Sequence, residues 1–309
     1  MKTYYEINEK KKTSLALGFF DGVHIAHKKV ITTLINEAKL NQNKSAVISF
    51  DKNPADYFSE ERTLAIHSFK DKEIILENLG LDYFYELDFE LYKDMSAYDY
   101  LKDVLIKNFQ PDLIVVGYDH KFGKNKEGDI NFLKEHEQEF HYRLIAIPES
   151  KIDGEKVSST LIRKKIQDGR LDYVKTLLGR SFSVRNSVIK GNGMARNLGY
   201  PTINLVWPDS IVKLPFGVYF GYATIDDDTK PALISWGKRP TLTKGEEAVL
   251  EAHIYNVDKD LYGKIAKVSF ERKIRNEMNF YGIKPLAEQL KKDYELFLKW
   301  VSAIGMKQL

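Results

Sequence analysis

Cysteine is absent from all 309 residues, which removes disulfides, thiolate metal sites and cysteine nucleophiles from consideration. Long apolar runs are absent too, so no segment is expected to cross a bilayer. Residues 1–12 are charged and carry no apolar signal-peptide core. An excess of one charge is lacking: 47 Lys and Arg against 44 Asp and Glu leave a net +3. So small a surplus admits anionic small molecules without recruiting nucleic acid or a membrane surface. Repeats and low-complexity tracts are missing. So are the Gly-Lys-Ser/Thr of a P-loop and the His-Glu-x-x-His of a zinc helix. Gly191-x-Gly193 starts a dinucleotide fingerprint, but Arg196 occupies the place of its third glycine. The expectation is a cytoplasmic protein with no nucleic-acid or membrane partner, neither an oxidoreductase nor a P-loop ATPase. Oligomeric state leaves no trace in the sequence.

What is present divides in two. A chain of this length suits two domains, and 43% hydrophobic residues can fill two cores. In the first half, strand-like runs at 15–19, 45–50, 83–87, 113–116 and 143–147 alternate with helical spacing at 28–40, 71–79, 97–108 and 131–140. Such alternation predicts a parallel sheet covered by helices, with ligands outside the carboxyl ends of the strands. Two short helices follow at 159–167 and 171–178. Near Gly179 the character changes to short alternating stretches at 182–190, 217–225, 230–235, 249–255 and 265–274, an all-β module. An amphipathic helix at 283–303 closes the chain, with Leu286, Leu290, Tyr294, Phe297 and Trp300 on one side. The expected domains are 1–180 and 181–309.

The most informative segment is residues 15–27. A buried strand runs into Gly18-Phe19-Phe20-Asp21-Gly22, and a helix begins near His24. Gly18 and Gly22 are expected to permit the tight turn. The helix then aims free N–H groups and its positive end above the turn, an anion site. His24 and His27, three apart, share one face. By itself a His-x-x-His pair is most often two surface residues; the strand and turn before it favour a nucleotide triphosphate.

Further segments carry chemistry. Val157-Ser158-Ser159-Thr160-Leu161-Ile162-Arg163 puts hydroxyls at a helix start and a guanidinium one turn in. Alone it is an ordinary N-cap beside a surface arginine. Gly117-Tyr118-Asp119-His120-Lys121-Phe122-Gly123 follows a buried strand as a ligand-facing loop would, and Phe50-Asp51-Lys52-Asn53-Pro54 follows another. In the second half, Gly199-Tyr200-Pro201-Thr202-Ile203-Asn204 fixes a hydroxyl and an amide oxygen, hard donors suited to magnesium on a nucleotide. Alone it is a strand edge. Gly217-Val218-Tyr219, Gly237-Lys238-Arg239-Pro240-Thr241, Glu251-Ala252-His253-Ile254, Asp260-Leu261-Tyr262-Gly263 and Ile274-Arg275-Asn276-Glu277 follow in order. Glu251 sits among apolar strand residues, where a carboxylate is costly unless paired or functional, or else lies on a solvent face.

In this order the motifs resemble the bacterial bifunctional riboflavin kinase/FAD synthetase (FMN adenylyltransferase) family. The resemblance implies an α/β nucleotidylyltransferase domain with a Rossmann-like parallel sheet, then an all-β, six-stranded antiparallel barrel with a C-terminal helix. It implies ATP and Mg2+ acting with riboflavin, FMN and FAD as substrates and products. Gly18, Phe19, Asp21, Gly22, Ser159, Thr160, Gly199 and Pro201 would bind ATP or its phosphates. His24, His27 and Arg163 would stabilise charge during adenylyl transfer. Glu251 would be the kinase base, Thr202 and Asn204 the magnesium ligands, and Gly117, Asp119, Phe122, Arg275 and Glu277 the flavin contacts. The chain departs from the family pattern at Asn53, His120, Ala26 inside the histidine motif, Ala195 before Arg196, Ile203 inside Pro-Thr-x-Asn, Ser235 and Trp236. Those departures leave two alternatives open: an adenylyltransferase with a weakened kinase module, and a flavin-sensing regulator.

Overall fold

Strands buried on both faces have no polar side to alternate with, and they read as continuous apolar runs. β2 (Thr13–Leu17) is buried at every position, and β5 (Leu113–Gly117) at all but its last. With β1 (Lys2–Tyr4), β3 (Lys44–Phe50), β4 (Tyr83–Leu87) and β6 (Arg143–Ile147) they form one parallel sheet in the order β1-β4-β3-β2-β5-β6. The computed structural model describes residues 1–309 except 55, 59–62, 192–193, 239–247, 258 and 306–309. Contacts divide the chain into two units, Met1–Ala65 with Phe69–Leu161, and Ile66–Ser68 with Ile162–Leu309.

In the first unit the walk of strands reverses between β2 and β5, the point at which open α/β sheets bind ligands. β2 shows the layering: Ala16 joins Val30, Ile31 and Leu34 of the helix Ile25–Leu40 on one face, and Leu15 and Leu17 join Leu101, Leu105 and Phe109 on the other. The helix expected at 97–108 contains a π-helical stretch, Tyr100–Ile106, between two short α-helical turns. The one expected at 131–140 is broken at His136, between Ile130–Glu135 and Glu137–Phe140. A small hairpin, β7 (Lys151–Ile152) with β8 (Glu155–Lys156), turns through Asp153 and Gly154 at φ 50° and 80°, the left-handed pair of a type I′ turn.

The second unit holds β9 (Phe182–Ser187), β10 (Ile203–Leu205), β11 (Gly217–Ile225), β12 (Asp228–Lys238), β13 (Ala248–Ile254) and β14 (Ile265–Asn276). They pair antiparallel in the order β10-β13-β12-β11-β14-β9. One further bridge, Ile189 to Asn204, brings the two edges of this curled sheet together, with Ile189 N–H donating to the Asn204 carbonyl at 2.8 Å. Inside lie Phe182, Trp207, Trp236 and Phe270, in ring contacts of 4.6–6.1 Å. The indole of Trp236 donates to the Leu214 carbonyl at 3.0 Å. Outside, Val218, Phe220 and Leu233 pack on Phe297 of the helix Ile283–Gly305. Among the described residues no helix is long and apolar enough to cross a membrane.

A Cβ at Gly221 would overlap the Ser269 carbonyl oxygen where β11 and β14 shift register. Gly221→Ala is therefore expected to destabilise the second unit by roughly 1–3 kcal/mol, as overpacking does. All three tryptophans (Trp207, Trp236, Trp300) lie in this unit, so their fluorescence during urea unfolding reads the loss directly.

Candidate functional site

The first site grows from the end of β2. The Gly18 N–H still donates to the Ile48 carbonyl at 3.2 Å, but then the chain leaves the sheet. Phe20, Gly22 and Val23 take φ of 54°, 79° and 36°. For a β-branched valine this is a strained conformation of the kind that clusters at functional sites. Gly22 serves as expected. Gly18 does not: its φ is not left-handed, and what it supplies is room, since a Cβ there would stand 3.0 Å from the Phe20 ring.

His24 is not the first residue of the helix but its cap. Its Nδ1 accepts the His27 backbone N–H at 3.3 Å. A neutral imidazole that accepts at Nδ1 carries its proton on Nε2. The two rings stack at 3.5 Å between centroids and 17° between planes, and the Phe20 ring meets His27 edge-on at 5.2 Å. The second motif joins this turn directly: Ser159 Oγ donates to the Asp21 carbonyl at 2.8 Å. Ser158 is the residue that caps the helix Ser159–Gln167, accepting from Leu161 N–H at 3.2 Å. Thr160 is left exposed, and Arg163 stands one turn along the same helix.

The loop after β5 begins at Gly117. Phe122 pairs with Gly128 in both directions, and its ring packs against Tyr100 and Phe132. Gly123, at φ 71°, lies so close to Ala97 that a side chain would meet its backbone at 2.7 Å. Asp119 is exposed and accepts from Lys156 at 2.7 Å. His120 stacks on Phe122, and burial pushes its imidazole down to about 4, so the ring is neutral at pH 7.

Beneath the turn lies a charged residue that sequence reasoning passed over. Lys72 is buried, with its ammonium 3.2 Å from the Phe19 carbonyl and 3.8 Å from Glu86. A signal existed: Phe69, Lys72, Leu76 and Leu79 fall at helical spacing, so a lysine occupies a core position.

The second site lies along one row of the curled sheet. Asn204 faces Glu251, Glu251 faces Ser235, Ser235 faces Val218 and Val218 faces Arg275. Residues directly opposite project from the same face, so Asn204, Glu251, Ser235 and Arg275 share one surface. Trp236, one residue out of step, points into the interior, and its bulk stays off that surface. Gly191 lies against the Asn204 amide where a Cβ would overlap it. A cleft beside Asn204 is lined by Gly191, Pro201, Thr202, Arg196 and Lys259. Gly199, just before the Tyr200-Pro201-Thr202 segment, has a left-handed φ of 89°. His253 donates through Nδ1 to the Pro201 carbonyl at 2.8 Å and so holds the Tyr200-Pro201-Thr202 segment; burial lowers its affinity for a second proton. A hydroxyl and an amide oxygen suit a divalent ion that keeps most of its positions for phosphate and water, and the two nearby cations suit the phosphate. Among the described residues no group of three or more His, Asp and Glu could hold a metal by itself.

Arg275 and Glu277 are engaged within the protein. Arg275 donates to both carboxylate oxygens of Asp293, at 2.7 to 3.1 Å, and Gln289 donates to the same carboxylate at 2.8 Å. Asp293 is almost wholly buried and was unforeseen; it interrupts the apolar stripe of the last helix between Leu290 and Phe297. Glu277 accepts from Lys238 N–H at 2.6 Å. Gly193, Arg239, Pro240 and Thr241 lie outside the described residues.

Comparison with known proteins matches residues 6–161 to the FAD synthetase family and residues 178–301 to the riboflavin kinase family. A bifunctional riboflavin kinase/FMN adenylyltransferase of Buchnera aphidicola is 30% identical over 98% of this chain and 100% of its own length. The Bacillus subtilis protein of the same description is 27% identical over 95% of this chain and 94% of its own. A solved Streptococcus pneumoniae structure, described as a macrolide-efflux protein, superposes with a TM-score of 0.85 at 30% identity, covering 96% of this chain and 99% of that one.

Removing the carboxylate from a buried ion pair strands its partner. Asp293→Ala is expected to lower the stability of the second unit by about 3 kcal/mol, read as a lower urea midpoint in tryptophan fluorescence.

Proposed function

The chain belongs to the family of bifunctional riboflavin kinase/FMN adenylyltransferases, phosphorylating riboflavin to FMN and adenylylating FMN to FAD with ATP, and we propose that residues 1–180 carry the second step and residues 181–309 the first. The observation that carries the adenylyltransferase assignment is the Ser159 hydroxyl on the Asp21 carbonyl. It unites motifs 138 residues apart at the carboxyl end of β2, beside His24 and His27.

In adenylyl transfer the FMN phosphate attacks the α-phosphorus of ATP and pyrophosphate leaves. No covalent enzyme intermediate is required. The protein positions the reactants and offsets charge on the triphosphate. Gly18, Phe19, Asp21 and Gly22 shape the turn, and the helix Ile25–Leu40 presents its N–H end. His24 and the His27 stacked on it offer ring N–H donors, and the backbone N–H of Ser159, with Thr160 and Arg163, meets phosphate oxygens. Gly117, Asp119 and Phe122 belong to the flavin loop.

In the kinase step Glu251 takes the proton of the riboflavin 5′-hydroxyl as that oxygen attacks the terminal phosphorus of ATP, whose bond to the β,γ-bridging oxygen breaks so that ADP leaves. Gly199 and Pro201 fix the phosphate-facing segment. Thr202 and Asn204 would hold Mg2+, which when bound draws charge from the phosphate oxygens. Arg275 and Glu277 border the flavin, with Arg275 also tying the last helix to β14 through Asp293.

Supplied with ATP, Mg2+ and riboflavin, the protein should yield FMN and then FAD; supplied with FMN, it should yield FAD. His27→Ala and Arg163→Ala are each expected to slow FAD formation roughly 10²–10³-fold, the scale of one lost transition-state donor. Near-normal turnover in either would end that assignment. Glu251→Gln should abolish FMN formation and leave conversion of supplied FMN to FAD intact, with the flavins resolved by chromatography.

A further inference from the structure

A lysine ammonium in a protein interior needs a reason. Lys72 has 7% of its side chain exposed, and an apolar residue of its length would fill the same space without desolvating a charge. Its direct hydrogen-bond acceptor is the carbonyl of Phe19, at 3.2 Å, which also accepts from the Ser49 hydroxyl at 3.1 Å. The Phe19 ring lies 4.7 Å from the same ammonium. Phe19 is the last residue before the left-handed turn, so both donors grip the chain where its strain begins.

We propose that Lys72 is a positioning residue for adenylyl transfer: through the Phe19 carbonyl it holds the Phe20–Val23 turn, and with it His24 and the helix N-terminus, in register with the triphosphate. The proposal rests on the adenylyltransferase reading of this half. The charges facing Lys72 are Glu86 from β4 and Asp21 from the turn itself; Glu86 is faced in turn by Asp51 and Glu73. Burial lowers the proton affinity of Lys72, which Glu86 partly restores, and burial raises Glu86 to about 7. The grip is strongest with the charged lysine, because a charge-assisted hydrogen bond is roughly twice as strong as a neutral one, so it is full below the pKa of Lys72 and weakened above it.

Four variants test this, each assayed for FAD formation from FMN, for FMN formation from riboflavin and by thermal melt. Lys72→Met should lower kcat for FAD formation roughly 10–100-fold, the cost of a misplacement near 1 Å, with KM for ATP changed less and kinase turnover unchanged. Ser49→Ala, which removes only the second donor, should lower it less. Glu86→Gln should move the alkaline limb of the FAD-forming pH profile to lower pH, because the lysine loses the charge that keeps it protonated. Lys72→Arg, which cannot lose its proton, should abolish that limb or move it to higher pH. Should Lys72→Met not fold, the Glu86→Gln and Lys72→Arg profiles decide. Turnover within twofold of the parent in Lys72→Met, or superimposable profiles in Glu86→Gln and the parent, would overturn the proposal alone. A parent protein that makes no FAD from FMN would overturn the reading of this half as well.

Discussion

Between the end of β2 and the start of the helix Ile25–Leu40, the backbone must leave a fully buried strand and present free N–H groups at the switch point of the sheet. It does this through three residues in the left-handed region, of which only one is glycine. Everything attached to the first site depends on that turn. The Phe20 ring needs the space left by Gly18, Ser159 reaches the Asp21 carbonyl, and Ser49 and Lys72 converge on the Phe19 carbonyl. A strained segment persists only where its surroundings over-determine it, and here the surroundings are side chains from β3 and two helices.

The second site reaches a comparable result by pairing. Its candidate residues lie along one row of hydrogen-bonded strands, so register decides that Asn204, Glu251 and Ser235 share a surface. A slip of one residue would send Glu251 inside and Trp236 out. The aromatic interior resists such a slip, because Trp236 fills it against Trp207 and ties its indole to Leu214. The last helix is seated over the same face by Phe297 and by the Arg275–Asp293 pair.

Where local pattern and tertiary demand agree, elements were legible to the residue. The helices Ser159–Gln167 and Leu171–Leu178 have short amphipathic repeats with clear stops, and β4, β6 and β11 are apolar runs bounded by turns. β1 was not legible, since three residues carry no period and its pairing with β4 is wholly long-range. The Asp153-Gly154 hairpin could have been read from its dipeptide, but strands of two residues gave no run to flank it. The site was legible as motifs and illegible as geometry. Nothing in a histidine three residues before another says that one caps the helix with Nδ1. Lys72 and Asp293 were passed over because each breaks an apolar stripe, and a stripe is read by its majority.

The cap formed by His24 has a consequence for how charge is divided in the first site. A doubly protonated ring has no lone pair at Nδ1, so charging His24 would set a donor against the His27 N–H and press a cation onto the imidazole stacked 3.5 Å away. The helix cap and a second proton therefore compete for the same nitrogen. While the cap holds, the Nδ1 lone pair of His24 is committed to the His27 N–H, so one ring fixes both the start of the helix and the face on which its partner imidazole stacks.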